Sequence, residues 1–190
     1  MSEVETIIYF KKAGSANTEK ALKLAYEYAE EYEIPKVVVA SSKGTTAAKA
    51  LDIFTNLEKL VIVTHSYGFV KPGENEFDPE LLGLLKKKNV AVLTTTHAFA
   101  GVDRAIRRKL GTWKFAELVA EVYRTFGQGT KVCAEIVLMA ADAGLIPIDQ
   151  DVLAVGGTGR GADTVWQISP ANSFNFLDLK MNKCLCKPIF

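Results

Sequence analysis

A glycine-rich loop near the C-terminus carries residues that could bind an anion. The stretch 151–168, DVLAVGGTGRGADTVWQI, places four glycines within six residues between two apolar runs. Glycine can adopt positive φ, so such a loop can fold back and direct several backbone N–H groups into one concavity. Arg160 adds a guanidinium whose planar fork suits a phosphate or a carboxylate. The candidate binding residues of this loop are Gly156, Gly157, Thr158, Gly159, Arg160, Gly161, Asp163 and Thr164.

This loop also has a simpler interpretation, as a tight glycine-rich hairpin between two strands. It is not a dinucleotide-binding fingerprint, because a strand rather than a helix follows it, and it lacks the Gly-Lys-Ser/Thr ending of a Walker loop.

A second candidate anion-binding loop, SSKGTT, directly precedes a predicted helix. Free N–H groups at a helix N-terminus and the helix dipole together favour an anion. Hydroxyl groups and a lysine add further donors, although an ordinary helix-capping cluster is the alternative explanation. The candidate residues are Ser41, Ser42, Lys43, Gly44, Thr45 and Thr46.

The two histidines of the chain each follow threonine at the end of a predicted strand. They could donate hydrogen bonds to a ligand or act as a general acid or base, although a lone histidine is more often structural. No cysteine or carboxylate lies at ligand spacing beside either one, so no metal site is predicted. Spacing identifies no Ser/His/Asp set either. The candidate residues are Thr64, His65 and Ser66 after one strand and Thr95, Thr96 and His97 after the next.

Alternating strands and helices must position these groups. Hydrophobic patterns predict strands at 6–10, 36–40, 59–64, 90–94, 152–155 and 165–168, and helices at 18–32, 47–55, 79–88, 101–110, 115–126 and 130–143. Asn17 is predicted to cap the first helix, and the alternation in 176–188 predicts an edge strand. The predicted fold is α/β, a three-layer α/β/α arrangement with a mostly parallel sheet and an antiparallel hairpin at the sheet edge. Ligands of such sheets bind at the carboxyl ends of the strands, where all four polar segments should meet.

Composition limits the classes of function. The chain has 190 residues, 48% hydrophobic, with a net charge of +1, so we expect a single domain over residues 1–190 and neither nucleic-acid nor membrane binding. Three cysteines argue against a disulfide framework, and the first ten residues lack the basic segment of a signal peptide, so a cytoplasmic protein is expected. The predicted terminal strand would leave an exposed sheet edge unless another chain covered it, so we expect a homodimer.

The segments VVVASSKGTTAAKAL and DVLAVGGTGRGADTVWQI together resemble the C-terminal α/β domain of pyruvate kinase. In that family a strand leads into a Thr/Ser-x-x-Gly-x-Ser/Thr-Ala loop that holds a phosphate of the sugar-bisphosphate effector; here the loop runs from Ser41 to Ala47. The catalytic barrel is absent, so the chain resembles the free-standing, mostly archaeal proteins of this type.

The resemblance implies that flavin mononucleotide (FMN) can occupy the strand-exit cleft. The expected function is therefore binding of a phosphorylated small molecule. An alternative is a flavin-dependent oxidoreductase or a phosphate-ester enzyme that uses His65 or His97 as acid or base. A purely structural or interaction role is the third possibility.

Overall fold

The computed structural model describes residues 6–189, in which seven strands form one sheet. The strands are β1 (Ile8–Phe10), β2 (Val37–Ala40), β3 (Leu60–Val63), β4 (Ala91–Leu93), β5 (Val152–Gly156), β6 (Thr164–Ser169) and β7 (Lys180–Pro188). Their order across the sheet is β1-β7-β6-β5-β2-β3-β4. Residues 1–5, which enter the signal-peptide and single-domain predictions, lie outside the described range.

Six α-helices connect and cover the strands within the described residues. They are α1 (Thr18–Glu31), α2 (Thr45–Ile53), α3 (Pro79–Lys87), α4 (Gly101–Leu110), α5 (Phe115–Arg124) and α6 (Gln128–Asp142). The start of α3 follows directly from the sequence, because the Asp78 carboxylate accepts from the N–H groups of Glu80 and Leu81 and Pro79 fills the first helical position. None of the helices within residues 6–189 combines the length and the apolar composition that a bilayer span requires.

Alternating strand residues divide the core between the two faces of the sheet. On one face Val37 and Val39 pack with α1, α2 and α3, whereas on the other face Val38 packs with α5 and α6. Both faces of β2 are therefore buried, which explains its uninterrupted apolar run. The predicted three-layer α/β/α class is confirmed.

All neighbouring strands pair in parallel except where β6 is involved, so β6 alone runs against the others. The predicted antiparallel hairpin is β5–β6, but its predicted position at the sheet edge is wrong, because β7 and then β1 extend the sheet beyond it. The prediction that the C-terminal tail forms an edge strand is wrong, because β1 pairs in parallel with the outer side of β7. The proposed basis for a homodimer, an exposed tail strand, is therefore absent, and the homodimer itself stays a prediction.

The prediction that the side chain of Asn17 caps α1 is also wrong. Its backbone is already helical, and its side-chain amide donates to the carbonyl oxygens of Lys12 and Gly14 rather than accepting from the first turn of α1. Asn17 therefore closes the turn that leads from β1 into α1, and the Thr18 hydroxyl accepts from the N–H of Ala162 in the glycine loop at 2.9 Å.

Candidate functional site

A cleft of about 670 Å³ lies at the carboxyl ends of β2, β3 and β5, where the sequence predicted a binding site. We call it the central cleft. It brings together both candidate anion loops and both histidines. The predicted residues that line it are Ser41, Ser42, Lys43, Thr45, Thr46, Thr64, His65, His97, Gly157, Gly159, Arg160 and Gly161.

Eight predicted site residues do not line the central cleft: Gly44, Ser66, Thr95, Thr96, Gly156, Thr158, Asp163 and Thr164. Thr95 and Thr96 line a second cavity, which also borders His97. Several of the others have structural contacts that account for their residue types, as described below.

The loop between β2 and α2 presents the N-terminus of α2 to the cleft. Gly44 has φ +101°, a backbone conformation that favours glycine, and an added Cβ there would also lie 2.7 Å from Cδ2 of Leu81. The buried hydroxyl of Ser41 accepts from the N–H of Ala47 at 3.1 Å and satisfies one free donor of the helix. Thr45 and Thr46 begin the first turn, where N–H groups have no partner within the helix, so this end of α2 can accept an anion.

The glycine loop is held from behind by a buried carboxylate. Asp163 is fully buried, and its Oδ2 accepts from the N–H of Gly14 at 2.8 Å and of Thr158 at 3.2 Å. Its Oδ1 accepts from the hydroxyl of Thr164 at 2.8 Å. Asp163 and Thr164 therefore fix the loop and are not in position to contact a ligand. The side of the loop that faces the cleft carries the exposed Arg160.

His65 lies between a carboxylate and a serine. Its Nδ1 is 2.9 Å from Oε2 of Glu76, and its Nε2 is 3.2 Å from Oγ of Ser42. Burial lowers the pKa of His65 below 6.5, although the hydrogen bond with Glu76 opposes the shift. His65 is therefore neutral near pH 7 and able to accept a proton. The ring of Phe69 stacks on it with centroids 3.8 Å apart.

His97 faces a buried ion pair. Its Nδ1 is 3.4 Å from Oε2 of Glu135, which also pairs with the ammonium group of Lys131. Burial alone would raise the pKa of Glu135, but His97 and Lys131 together lower it from 4.5 to about 2, so the carboxylate is charged. Among the described residues, Nε2 of His97 is buried and has no hydrogen-bond partner. That nitrogen is free to interact with a small molecule.

Several lining residues were not predicted from the sequence: Phe69, Glu76, Arg104, Arg124, Gln128, Lys131 and Glu135. Arg104 belongs to the basic run of α4, and its guanidinium lies 5.9 Å from the ring centroid of Phe69. The one available signal was in α6, because Lys131 and Glu135 are opposite charges four residues apart within a helix whose other residues are mostly apolar.

Positive charge predominates around the central cleft. Among the described lining residues, Lys43, Arg104, Arg124, Lys131 and Arg160 are cationic, whereas Glu76 and Glu135 are the carboxylates. The N-terminal turn of α6, which contains Gln128 and Lys131, adds a second helix dipole directed at the cleft. Within residues 6–189 no group of three or more histidine, cysteine and acidic side chains is arranged to hold a metal ion.

The fold and the cleft define an α/β protein with a mostly parallel sheet covered on both faces and a ligand-sized cleft at the strand ends. Solved structures similar to this chain include pyruvate kinase from Cryptosporidium parvum, with 14% identity and a TM-score of 0.40 over 79% of this chain and 22% of that chain. The same organism's enzyme in complex with ADP gives 14% identity and a TM-score of 0.38, covering 76% of this chain and 22% of that chain. A third pyruvate kinase structure from this organism gives 13% identity and a TM-score of 0.37, covering 82% of this chain and 23% of that chain.

These similar structures are pyruvate kinases, the family whose C-terminal α/β domain the two loops resemble. The chain spans less than a quarter of their length, and at this similarity nothing of their activity transfers to it. No protein-family model matches the sequence.

Proposed function

We propose that this protein binds a phosphorylated small molecule in the central cleft, with FMN as the leading candidate. The observation that carries the proposal is that the N-terminus of α2 and the cleft-facing side of the glycine loop line one cavity together with Lys43 and Arg160. Backbone donors, a helix dipole and guanidinium or ammonium groups are the features that proteins use to bind phosphate. The cleft volume of about 670 Å³ lies within the range of small-molecule sites.

The residues of the cleft are compatible with FMN. Lys43 and Arg160 would hold its phosphate, and the rings of His65 and Phe69 provide flat surfaces beside which a planar heterocycle could lie. The hydroxyl groups of Thr45 and Thr46 offer further polar contacts. FMN enters this proposal through the family resemblance, and the cleft supplies a site that suits it.

The first test is the visible absorption spectrum of the purified protein, followed by thermal-shift titration with FMN and with sugar phosphates. A ligand that binds only the folded state raises the melting temperature as its concentration increases. We expect Lys43→Gln and Arg160→Gln each to weaken binding by about 3–10-fold, since exposed charge contacts contribute about 1 kcal/mol. Lys109→Gln, which removes an exposed cation of α4 outside the cleft, is the matched control. Normal binding by both cleft variants would contradict the proposed phosphate site.

A second candidate function is catalysis with His65 or His97 as acid or base. It is favoured by the carboxylate that lies beside Nδ1 of each histidine, because such a carboxylate fixes the orientation of the ring. Flavin-dependent oxidation or reduction of a substrate, or turnover of a phosphate ester, that depends on pH and is lost in His65→Asn or His97→Asn would support it. Binding without turnover would favour the first candidate.

A further inference from the structure

Three side chains of the central cleft form a continuous hydrogen-bonded relay. Oε2 of Glu76 is 2.9 Å from Nδ1 of His65, and Nε2 of His65 is 3.2 Å from Oγ of Ser42. They come from three separate segments: Ser42 from the loop before α2, His65 from the end of β3, and Glu76 from the loop before α3. Nucleophilic sites consist of a nucleophile, a base in contact with it and a group that orients the base. Ser42, His65 and Glu76 have this arrangement.

The hydrogen bonds determine which atom of His65 can act as the base. A carboxylate can only accept, so Nδ1 carries the proton shared with Glu76. In neutral His65 the other nitrogen, Nε2, is then an acceptor, and the Ser42 hydroxyl donates to it. Burial lowers the pKa of His65, so the ring is unprotonated near pH 7 and its Nε2 can take the proton of the Ser42 hydroxyl.

Ser42 also lies where negative charge would be stabilised. It precedes Lys43, and the first turn of α2, with the free N–H groups of Thr45 and Thr46, begins three residues after it. Donors fixed in this way stabilise charge that develops on a reacting group. The cationic surroundings described above favour a dianionic group over a neutral one, which selects a phosphate ester rather than a carboxylic ester.

We propose that Ser42 is a nucleophile that accepts the phosphoryl group of a phosphate monoester, with His65 as its base and Glu76 as the positioning residue for His65. The proposal rests on the proposed function, since it takes the bound phosphate as the reacting group. Oγ of Ser42 bonds to phosphorus and its proton moves to Nε2 of His65. The bond from phosphorus to the alcohol oxygen breaks, and that oxygen leaves with a proton that Nε2 of His97 donates.

Water completes the cycle. Its oxygen attacks phosphorus and its proton returns to Nε2 of His97, while the bond from phosphorus to Oγ of Ser42 breaks and Oγ recovers its proton from His65. The sum is one ester and one water converted to one alcohol and one inorganic phosphate. Two histidines suit this sequence because attacking and leaving oxygens lie on opposite sides of phosphorus; the rings of His65 and His97 have centroids 5.4 Å apart.

The experiment labels the protein with diisopropyl fluorophosphate. The Ser42 oxygen would displace the fluoride of this reagent and remain bonded to its phosphorus. Labelling is followed by intact mass and peptide mapping, and turnover is followed with p-nitrophenyl phosphate. We expect one label, on Ser42, and none in Ser42→Ala. Glu76→Gln should slow labelling by about 10-fold or more, and Glu76→Asp, which keeps the carboxylate, should partly restore the rate. Ser173→Ala, which removes a serine hydroxyl outside the cleft, should label like the parent protein.

Each outcome decides the proposal. Phosphoserine at residue 42 in protein quenched during turnover supports it. A protein that resists labelling, or that labels equally well as Ser42→Ala, overturns the nucleophile. Turnover of p-nitrophenyl acetate but not of p-nitrophenyl phosphate overturns the phosphate-ester assignment. Failure of the proposed function is distinguishable, because it appears as no thermal shift of the parent protein with FMN or with sugar phosphates.

Discussion

The carboxylate of Glu135 is held by three groups in a buried site. Oε2 pairs with Lys131 and lies 3.4 Å from Nδ1 of His97, and Oε1 accepts from the N–H of Phe99 at 3.1 Å. Glu135 and Lys131 are each 3% exposed, so water hydrates neither charge effectively. Removing one charge of such a pair leaves the other buried without compensation, whereas removing both does not.

We therefore expect Glu135→Gln to lower the free energy of unfolding by about 3–5 kcal/mol at neutral pH. The pKa of Glu135 falls from 4.5 to about 2 on folding, so its contribution is present above 4.5 and is lost as the pH falls toward 2. The stability difference between parent and variant should accordingly shrink over that interval. Urea denaturation at both ends of the interval measures it.

The matched control for this residue is the double variant Lys131→Met/Glu135→Gln, in which no unpaired charge remains. Its loss of stability should be smaller than the sum of the two single losses. Additive losses would show that the ion pair does not account for the effect.

At the scale of single residues, the sequence predicted the histidines of the cleft but not the carboxylates that contact them. His65 and His97 were identified because each follows a predicted strand, and the ends of parallel strands meet at one edge of the sheet. Glu76 and Glu135 were missed because the first lies at the end of an irregular loop and the second is 38 residues from His97. Contacts of this kind depend on how loops and helices pack, which hydrophobic periodicity does not specify.

At the scale of elements, two glycines allow α6 to pack tightly against the β5–β6 hairpin. An added Cβ at Gly129 would lie 2.0 Å from Oγ1 of Thr164, and one at Gly156 would lie 2.5 Å from the carbonyl oxygen of Gly129. Neither glycine has positive φ, so packing rather than backbone conformation requires them. The N-terminus of α6 reaches the cleft because these two positions lack side chains.

We expect Gly129→Ala to destabilise the protein by about 1–3 kcal/mol, because the new methyl group overlaps backbone-anchored atoms of β6. Gly83→Ala is the matched control, since Gly83 lies inside α3 with no atom within 4 Å of an added Cβ. That change should stabilise by about 0.5–1 kcal/mol, through the higher helix propensity of alanine. Thermal or urea unfolding compares the two, and equal effects would contradict the packing argument.

The sequence predicted the order and type of the helices and of most strands, because strong apolar periodicity identifies them individually. It could not place the C-terminal strand. Alternation of apolar and polar residues is the same for a strand at the edge and for one beside it, and the three residues of β1 pair with β7 from the opposite end of the chain. Asn17 shows the same limit locally, since two acceptors in the preceding turn compete for a side chain that could otherwise cap α1.

At the scale of the whole molecule, Asp163 joins the two ends of the chain. It binds the N–H of Gly14, 149 residues away, and the N–H of Thr158 within the glycine loop. A second aspartate, Asp151, binds side chains at the opposite end of the same hairpin, with Oδ2 2.6 Å from Nε2 of Gln167. Asp163 and Asp151 thus both fix the β5–β6 hairpin through hydrogen bonds. Asp163 does so at the end beside the central cleft, and Asp151 does so at the far end.

We predict that Asp163→Ala weakens binding of a phosphorylated ligand by about tenfold, although Asp163 does not contact the cleft, because the loop would lose its fixed conformation. Asp163→Ala and Asp151→Ala should lower the melting temperature by similar amounts. Asp151→Ala should nevertheless leave the affinity for the phosphorylated ligand unchanged. Isothermal titration of both variants distinguishes them. If the two variants bound the phosphorylated ligand with equal affinity, the glycine loop would not need Asp163 for binding.

The pairing of β1 with β7 also determines when this protein can finish folding. Strands β2, β3 and β4 follow one another along the chain and can pair while synthesis continues, but β7, the strand partner of β1, is translated after the other six strands of the sheet. Closing so long a separation carries a larger entropic cost than pairing adjacent segments. The Gly14 turn and the glycine loop that it supports can therefore adopt their final conformation only after translation of the β5–β6 hairpin, so the central cleft, which this loop lines, is complete only after β1 to β4 have been made.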